Sequence, residues 1–351
     1  MLEGHTGLEG IFKSPLSSLF IQQETSSMPP PPVRRPIAKD RFSAIFATAK
    51  TQTYYDPSSR GPGSHALRSI AWNNTGSFIA TGGADRLVRI WNPERANVKN
   101  STELRGHGLG VERVAWDPTK DGGLASVSGD GSVKFWDVRS AKCLGEVKTG
   151  GENFTLAWHP EGTAVAVGRK DDHVIFIDTR TYATFHTIKE PVQTNQLVWS
   201  HSGTALLITT GEGRVRILSY PKFEPLYTIN AHTSACFCLE VDPRGKYLAV
   251  GGSDALISLW DTLDWMCKHT LGHMEGPLRS VAFSWDGSYV VGGSDEGNGL
   301  EIAHVETGEY VHMIPTTHPS PCVAWHPSRY WLAYTGDPMG LKIVGAAGGN
   351  I

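Results

Sequence analysis

Apolar and polar residues alternate along this chain in runs of four to six, and short segments rich in Gly, Pro, Asn and Asp separate the runs. "LVRIWN" (87–92), "VKFWD" (133–137), "VIFID" (174–178), "VRILS" (215–219) and "LISLWD" (256–261) are examples. A side-chain period of two predicts half-buried strands, not helices. Between the runs stand "WNNTG", "WHPEG", "WSHSG", "VDPRG" and "SWDG", in which a Pro or small polar residue opens a turn and Gly supplies the positive φ near its end. A second set of turns carries Asp85, Asp130, Asp172, Asp254, Asp295 and Asp337. The pattern predicts an all-β chain of short strands and tight turns.

One phrase recurs. "SIAWNN" (69–74), "RVAWDP" (113–118), "TLAWHP" (155–160), "QLVWSH" (196–201) and "CVAWHP" (322–327) have weaker echoes in "LEVDPR" (239–244) and "VAFSWDG" (281–287). The marks Trp72, Trp116, Trp158, Trp199, Val241, Phe283 and Trp325 lie 44, 42, 41, 42, 42 and 42 residues apart. Self-similarity at about 40–45 residues is the signature of WD40 repeats, each giving one four-stranded blade of a β-propeller. A blade cannot bury both faces alone, so blades stack in a closed ring. Seven marks predict seven blades.

Within a blade of this kind, a His, a Ser or Thr, the turn Asp and a Trp form a hydrogen-bonded chain that satisfies the buried indole N–H. All four residue types occur twice, as His65, Thr81, Asp85, Trp91 and as His107, Ser126, Asp130, Trp136. The fifth unit has His232, Asp254 and Trp260 but Val250 at the hydroxyl position, and the remaining units are degenerate. The first two blades are therefore expected to be the best tied down.

The seventh unit ends at its third strand, "LKIVGA" (341–346), so its outer strand has to come from elsewhere. "RFSAIFATAK" (41–50) is placed to supply it and remove two exposed sheet edges. Residues 51–63 then form the link into the first blade. The expected organisation is a disordered Pro-rich arm over 1–40, a propeller over 41–346 and a tail over 347–351.

Composition narrows the function. Lys and Arg number 32 against 35 Asp and Glu, a net charge of −3 in 351 residues, so no basic excess advertises a nucleic-acid grip. Cys143, Cys236, Cys238, Cys267 and Cys322 lack paired spacing and read as reduced, buried thiols, with no second pair to complete a zinc site. No stretch approaches the roughly 20 apolar residues of a membrane span, and no secretory signal is evident.

Fourteen His residues invite an active-site reading. Most fall at periodic blade positions: His65, His107, His232 and His273 before the first strand, His159 and His326 in the turn after it. Catalysis needs a unique cluster. The paired carboxylates Asp171 and Asp172 occupy the turn position of the third unit, and none of the common nucleophile, phosphate-loop or zinc-protease motifs is present. No catalytic, cofactor or metal residue is therefore assigned, and no small-molecule substrate is expected. The residues entering the first strands should ring the channel mouth. Arg68, Arg113, Phe154, Gln196, Phe237 and Arg279 stand out there as candidate partner contacts, because Arg and aromatic side chains dominate binding hot spots.

The atypical units carry a resemblance over about 64–345. "ASVSGDGSVKFWDVRSAKCLGEVKTGGENFTLAWHPEGTAVAVGRKDDHVIFID" runs into the third unit without the usual Gly-His. "GRVRILSYPKFEPLYTINAH" has "LSYP" where Trp-Asp would stand, and "CLEVDPRGKYLAVGGSDALISLWD" and "PLRSVAFSWDGSYVVGGSDEGNGLEIAHVETGE" follow. In these units the chain resembles the WD40 subunits of the THO complex, part of the TREX mRNA-export assembly. The resemblance implies a non-enzymatic nuclear scaffold that binds the large helical THO subunits and, through them, the TREX RNA helicase and export adaptor. RNA contact would be indirect or weak, carried by residues such as Arg34, Arg35 and Lys39. The alternative is a WD40 scaffold of a spliceosomal or chromatin-associated complex.

Overall fold

The computed structural model describes residues 36–54, 66–95, 101–337 and 340–345. Each mark of the recurring phrase is the last residue of a strand: Leu67–Trp72, Val111–Trp116, Asn153–Trp158, Thr194–Trp199, Cys236–Val241, Leu278–Phe283 and Val323–Trp325. These are the innermost strands of seven four-stranded antiparallel sheets; six run in chain order from the inside out, and the seventh takes its outer strand from the N-terminal part of the chain. The sheets are the blades of a seven-bladed propeller.

The core lies between blades, not within them. Seven hydrophobic clusters form, each drawing on two neighbouring blades. The strands explain why. Second strands such as Ala205–Thr210 and Tyr247–Gly252 are buried at every position, because alternate side chains meet the blade on either side. Burying one such Leu or Ile contributes about 1.5–3 kcal/mol, and that contribution needs both neighbours in place.

Closure uses an N-terminal strand, but a different one from that expected. Residues 41–50 do not enter a sheet. The strand is Thr51–Tyr54, antiparallel to Gly340–Val344 with Thr51 opposite Val344 and Tyr54 opposite Leu341. Lys39–Ala47 is an α-helix. Phe42, Ala44 and Phe46 alternate as a strand would, yet Phe42 and Phe46 are also one helical turn apart, and only those two are buried. The helix places both rings in the groove between the sixth and seventh blades. Phe42 lies 3.9 Å from Tyr289 between ring centroids, and Phe46 meets Trp325 edge-on at 5.8 Å.

The chain is already fixed before the helix begins. The Tyr289 hydroxyl donates to the Ile37 carbonyl at 2.6 Å, and the Ile37 N–H donates to Tyr330 Oη at 3.1 Å. Tyr330 in turn donates to Asp286 at 2.8 Å, and Lys39 pairs with Glu309. The arm expected over 1–40 thus lies outside the described residues as far as 35, while Ile37 onwards belongs to the packed body. The link expected over 51–63 begins with the closing strand and lies outside the described residues from 55; the tail over 347–351 lies outside them altogether.

A repeated aromatic latch explains the helix. In the third, fourth and fifth blades the hairpin before the outer strand closes with an N–H to C=O bond from Tyr182 to Asp178, Phe223 to Ser219 and Trp265 to Asp261. The three aromatic residues have φ of 54°, 60° and 57°. Bulky residues rarely adopt this left-handed conformation, and here it turns each ring back onto the blade before. Tyr182 covers Gly145, where a Cβ would come within 2.5 Å of the ring. Phe223 stacks on His186 at 4.3 Å, and Trp265 packs on Tyr227 at 5.8 Å. The seventh blade has no such hairpin, since its outer strand arrives from the N-terminus. Phe46 takes the latch position instead, over His312 at 6.1 Å.

The cysteines divide by position: Cys236 and Cys238 are buried, Cys322 is half-buried, and Cys143 and Cys267 are exposed on outer strands, contrary to the expectation that all are buried. All are free thiols.

Two perturbations test the closure. Phe42→Ala is expected to lower the unfolding free energy by about 3–5 kcal/mol, the usual cost of emptying a fully packed aromatic site. Removing residues 1–50 strips the helix and leaves the closing strand, whereas removing 1–54 strips both. Denaturant unfolding should rank the 1–54 truncation below the 1–50 truncation, and both below a chain lacking only 1–35. Equal stability of all three would remove the helix and strand from the account.

Candidate functional site

The propeller encloses a central cavity of about 710 Å³ lined by the innermost strands. In six of these strands the ladder shifts register at the second residue, between Leu67 and Ser69, Val111 and Arg113, Asn153 and Thr155, Thr194 and Gln196, Cys236 and Cys238, and Leu278 and Ser280. A bulge re-aims the side chain it carries. The six bulged residues are Arg68, Glu112, Phe154, Asn195, Phe237 and Arg279, one per blade at the same level of the channel.

Three of them reach a neighbouring blade. Arg68 pairs with Glu112 of the second blade. Asn195 donates to the Cys236 carbonyl of the fifth at 2.7 Å. The Arg279 guanidinium lies 4.6 Å above the Phe237 ring and bonds Asp295 at 2.8 Å. Phe154 is half-buried beside Gly168. Of the six candidate contacts, Arg68, Phe154, Phe237 and Arg279 therefore stand on the rim.

Gln196 does not. Its side chain is 8% exposed, with Nε2 donating to the Leu239 carbonyl and Oε1 accepting from the Leu239 N–H, each at 3.2 Å. It pins the fourth blade to the fifth. Arg113 also lies one residue inward of the rim and lines the cavity.

Below the rim lies a ring of residues that sequence reading missed. The residue before each mark is Ala71, Ala115, Ala157, Val198, Glu240, Ala282 or Ala324. Six are small and apolar, and one is a carboxylic acid. The signal was in the repeats, one position before each Trp. Burial foremost raises the Glu240 pKa to about 8; a hydrogen bond from the Phe283 N–H at 3.1 Å and the charge of Arg113 offset this only in part. Burial also lowers the pKa of Arg113, and pushes the thiols of Cys238 and Cys322 up to about 12 and about 11.

The carbonyls of this ring are acceptors. Trp116 Nε1 donates to the Ala71 carbonyl at 2.9 Å, Trp158 to Ala115 at 3.0 Å, Trp199 to Ala157 at 3.2 Å, and Trp72 to Ala324 at 3.1 Å. Val241 and Phe283 cannot donate in this way, and the Trp325 N–H meets no acceptor among the described residues. At those three junctions Gln196, Glu240 and Ser280 accept from the N–H of Leu239, Phe283 and Val323 instead. Every junction of the ring thus has a polar pin.

The tetrads lie within blades, away from the lumen. In the second blade the chain is complete: Trp136 Nε1 donates to Ser126 Oγ at 2.8 Å, His107 Nε2 meets the same oxygen at 2.7 Å, and His107 Nδ1 lies 3.4 Å from Asp130. Ser132 inserts between them, 3.0 Å from His107 Nδ1 and 2.5 Å from Asp130. In the first blade Trp91 bonds Thr81 at 3.0 Å, but Asp85 pairs with Arg89, and His65 lies outside the described residues. The fifth blade has a hydroxyl after all. Ser258, directly across the ladder from Val250, accepts from Trp260 Nε1 at 2.8 Å and meets His232 Nε2 at 2.9 Å, while His232 Nδ1 bonds Asp254 at 2.9 Å.

The other periodic histidines serve junctions. His159 Nε2 donates to the Gly203 carbonyl at 3.0 Å, and a Cβ on Gly203 would lie 2.5 Å from that nitrogen. His326 packs in the same way beneath Gly76 of the first blade. Asp171, read with Asp172 as a paired carboxylate, bridges Arg169 and His173. Among the described residues no group of three or more His, Cys, Asp or Glu side chains is arranged to hold a metal ion.

Residues 63–335 match the family model described as the THOC3 beta-propeller domain. The chain belongs to that family. It is 40% identical over 278 residues to THO complex subunit 3 of Arabidopsis thaliana, an alignment covering 79% of this chain and 88% of that protein. It is 35% identical over 294 residues to the WD repeat-containing protein AAC3 of Dictyostelium discoideum, covering 77% of this chain and 61% of that one. The fold is also similar to the crystal structure of the Cps50 (Swd1) propeller domain of Myceliophteria thermophila. There the TM-score is 0.73 at 23% identity, over 85% of this chain and all of that one, a likeness of fold alone. The helix and the closing strand of this THOC3-family propeller both precede the stretch matched by the family model.

Two predictions follow from the polar chains. Asp130→Ala and Ser258→Ala each strand buried partners, so each should cost roughly 1–3 kcal/mol of stability, read by denaturant unfolding, and leave the secondary structure intact. The second concerns acid. Burial lowers the His107 pKa to about 4, the charge of Asp130 opposing this only in part. Its unfolded value is about 6.5, so the unfolded chain binds the extra proton first. Stability should then fall as pH drops from 6.5 to 4, by on the order of 3 kcal/mol from this group. Unfolding of wild type and His107→Asn across that range measures the term, which the variant should lack.

Proposed function

We propose that this protein is a non-enzymatic scaffold subunit of a nuclear THO complex. It holds the large helical THO subunits on its blade surfaces and channel mouth and, through them, serves the TREX RNA helicase and export adaptor. The observation that carries this reading is the 40% identity, over most of both chains, to a protein named as the third subunit of that complex.

The site chemistry supports a binding role. The histidines and carboxylates of the tetrads and junctions are spent on fixing blades to themselves and to one another. Arg113 and Glu240 stand outside the repeat pattern, but the thiols beside them are held protonated by burial and so are poor nucleophiles. A ring of loops on a rigid frame suits several protein chains at once. Direct RNA contact is weak or indirect on this reading. The net charge is −3, Arg68 and Arg279 are each paired with a carboxylate, and Lys39 is occupied by Glu309. Arg34 and Arg35 lie outside the described residues. The spliceosomal or chromatin-associated alternative is not favoured, because those proteins are less similar to this chain.

Reconstitution tests the proposal. The protein should co-elute with the large THO subunits at moderate salt. Replacing Arg68, Arg113 and Arg279 together by Ala should weaken that association by about tenfold or more if the channel mouth is the docking face. Failure to co-elute, with capture of a different nuclear assembly, would overturn the THO assignment.

A further inference from the structure

Among the described residues, Arg113 is a lumenal cation without a hydrogen-bonded or ion-paired side chain. Arg68 and Arg279 on the rim are matched by Glu112 and Asp295. Arg113 lines the cavity and has no hydrogen bond or ion pair with any described side chain. It is half-buried, and the ionisable groups it faces are Glu240, Cys238 and Cys322. Leaving a guanidinium unpaired in such a setting is costly. Around it the cavity is walled by Ala71, Val198, Leu239, Ala282 and Ala324, with Ser69, Gln196 and Ser280 among them, and is open enough to admit a side chain from the mouth.

We infer that the central channel is a binding site for a single carboxylate of a partner polypeptide, inserted from the mouth onto the Arg113 guanidinium. The guanidinium fork matches a carboxylate bidentately, and the half-buried setting screens the pair less than open water would. A carboxylate fits better than a phosphate. One uncompensated positive charge balances one negative charge, whereas a phosphate carries up to two, and a polyphosphate backbone would meet Glu112 and Asp295 at the rim. The inference rests on reading the mouth as a partner-facing surface, and it adds the chemical group that the partner presents.

Glu240 sets the conditions. Below about pH 8 it is the neutral acid, so Arg113 acts alone and the acid can itself donate a hydrogen bond to an incoming anion. Above that pH it ionises and cancels the field of Arg113. The other groups facing the pair do not reverse this. The Cys238 and Cys322 thiols stay neutral up to about 11, Asp242 adds negative charge and the Phe283 N–H is fixed. Carboxylate binding should therefore weaken as pH rises through 8.

The test titrates the isolated full chain, so its failure leaves the co-elution result untouched. The probes are an end-blocked Gly-Ser-Glu-Ser-Gly peptide, its Gln counterpart, a neutral peptide with a free C-terminal carboxylate, and inorganic phosphate, followed by calorimetry or NMR shifts. At pH 7 a carboxylate peptide should bind at least tenfold tighter than the Gln peptide. The side-chain and chain-end probes distinguish which kind of carboxylate enters. Arg113→Gln should erase the preference. Glu240→Gln keeps an acceptor for the Phe283 N–H, and its affinity should stay the same between pH 7 and pH 9, where wild type should weaken roughly tenfold because of a group titrating near 8. Should Arg113→Gln fail to fold, the comparison of Glu240→Gln with wild type at pH 9 decides by itself. Equal binding of the Glu and Gln peptides, an unchanged preference in Arg113→Gln, or phosphate bound as tightly as carboxylate would each overturn the proposal.

Discussion

Each sheet of this protein buries one face against the blade before it and the other against the blade after it, so no blade owns a core. All seven hydrophobic clusters are shared between neighbours. The ring has to close for any of that apolar area to leave water. Closure then imposes the rest: an outer strand borrowed from the N-terminal end of the chain, a polar pin at every inner junction, and a latch at the outer groove.

The pins show how a degenerate repeat keeps its geometry. The indole-to-carbonyl bond that joins four junctions needs a Trp at the mark and a small residue ahead of its neighbour's mark. Where the mark is Val241 or Phe283, or where Trp325 is turned to other company, a side chain from the preceding strand does the work. Glu240 is one of these substitutes. It gives the fifth and sixth blades a hydrogen bond, and it places an acid in a ring whose other positions are Ala and Val. Its burial raises its pKa, and the backbone N–H that gives it a structural duty offsets that rise only in part.

The helix Lys39–Ala47 shows the same logic at the periphery. Tyr182, Phe223 and Trp265 each tie a blade to its predecessor, but the seventh blade has a chain break where its latch would sit. Phe46 fills that groove from a different kind of element, because a ring of the right size in the right place is what the groove requires. Strand Thr51–Tyr54 follows directly, so one short segment supplies both the latch and the missing edge.

The repeat period by itself determined the number of blades, the ends of the innermost strands and the need for an N-terminal strand, because those follow from a local pattern that each unit repeats. It also placed the Trp136 tetrad and gave the periodic histidines structural work. What tertiary structure decided lay between units. Residues 41–50 satisfy a period of two and a helical turn equally well, and only the groove between the sixth and seventh blades selects the helix. Val250 looked like a missing hydroxyl because the sequence position was empty, whereas the ladder puts Ser258 across from it within reach of the same Trp and His. Gln196 looked like a surface contact until the fifth blade came to lie beside it. Arg113 and Glu240 are more than 120 residues apart in the chain, and nothing local couples them. They share a lumen because the ring closes, and the dielectric that raises one pKa and lowers the other exists only once it has.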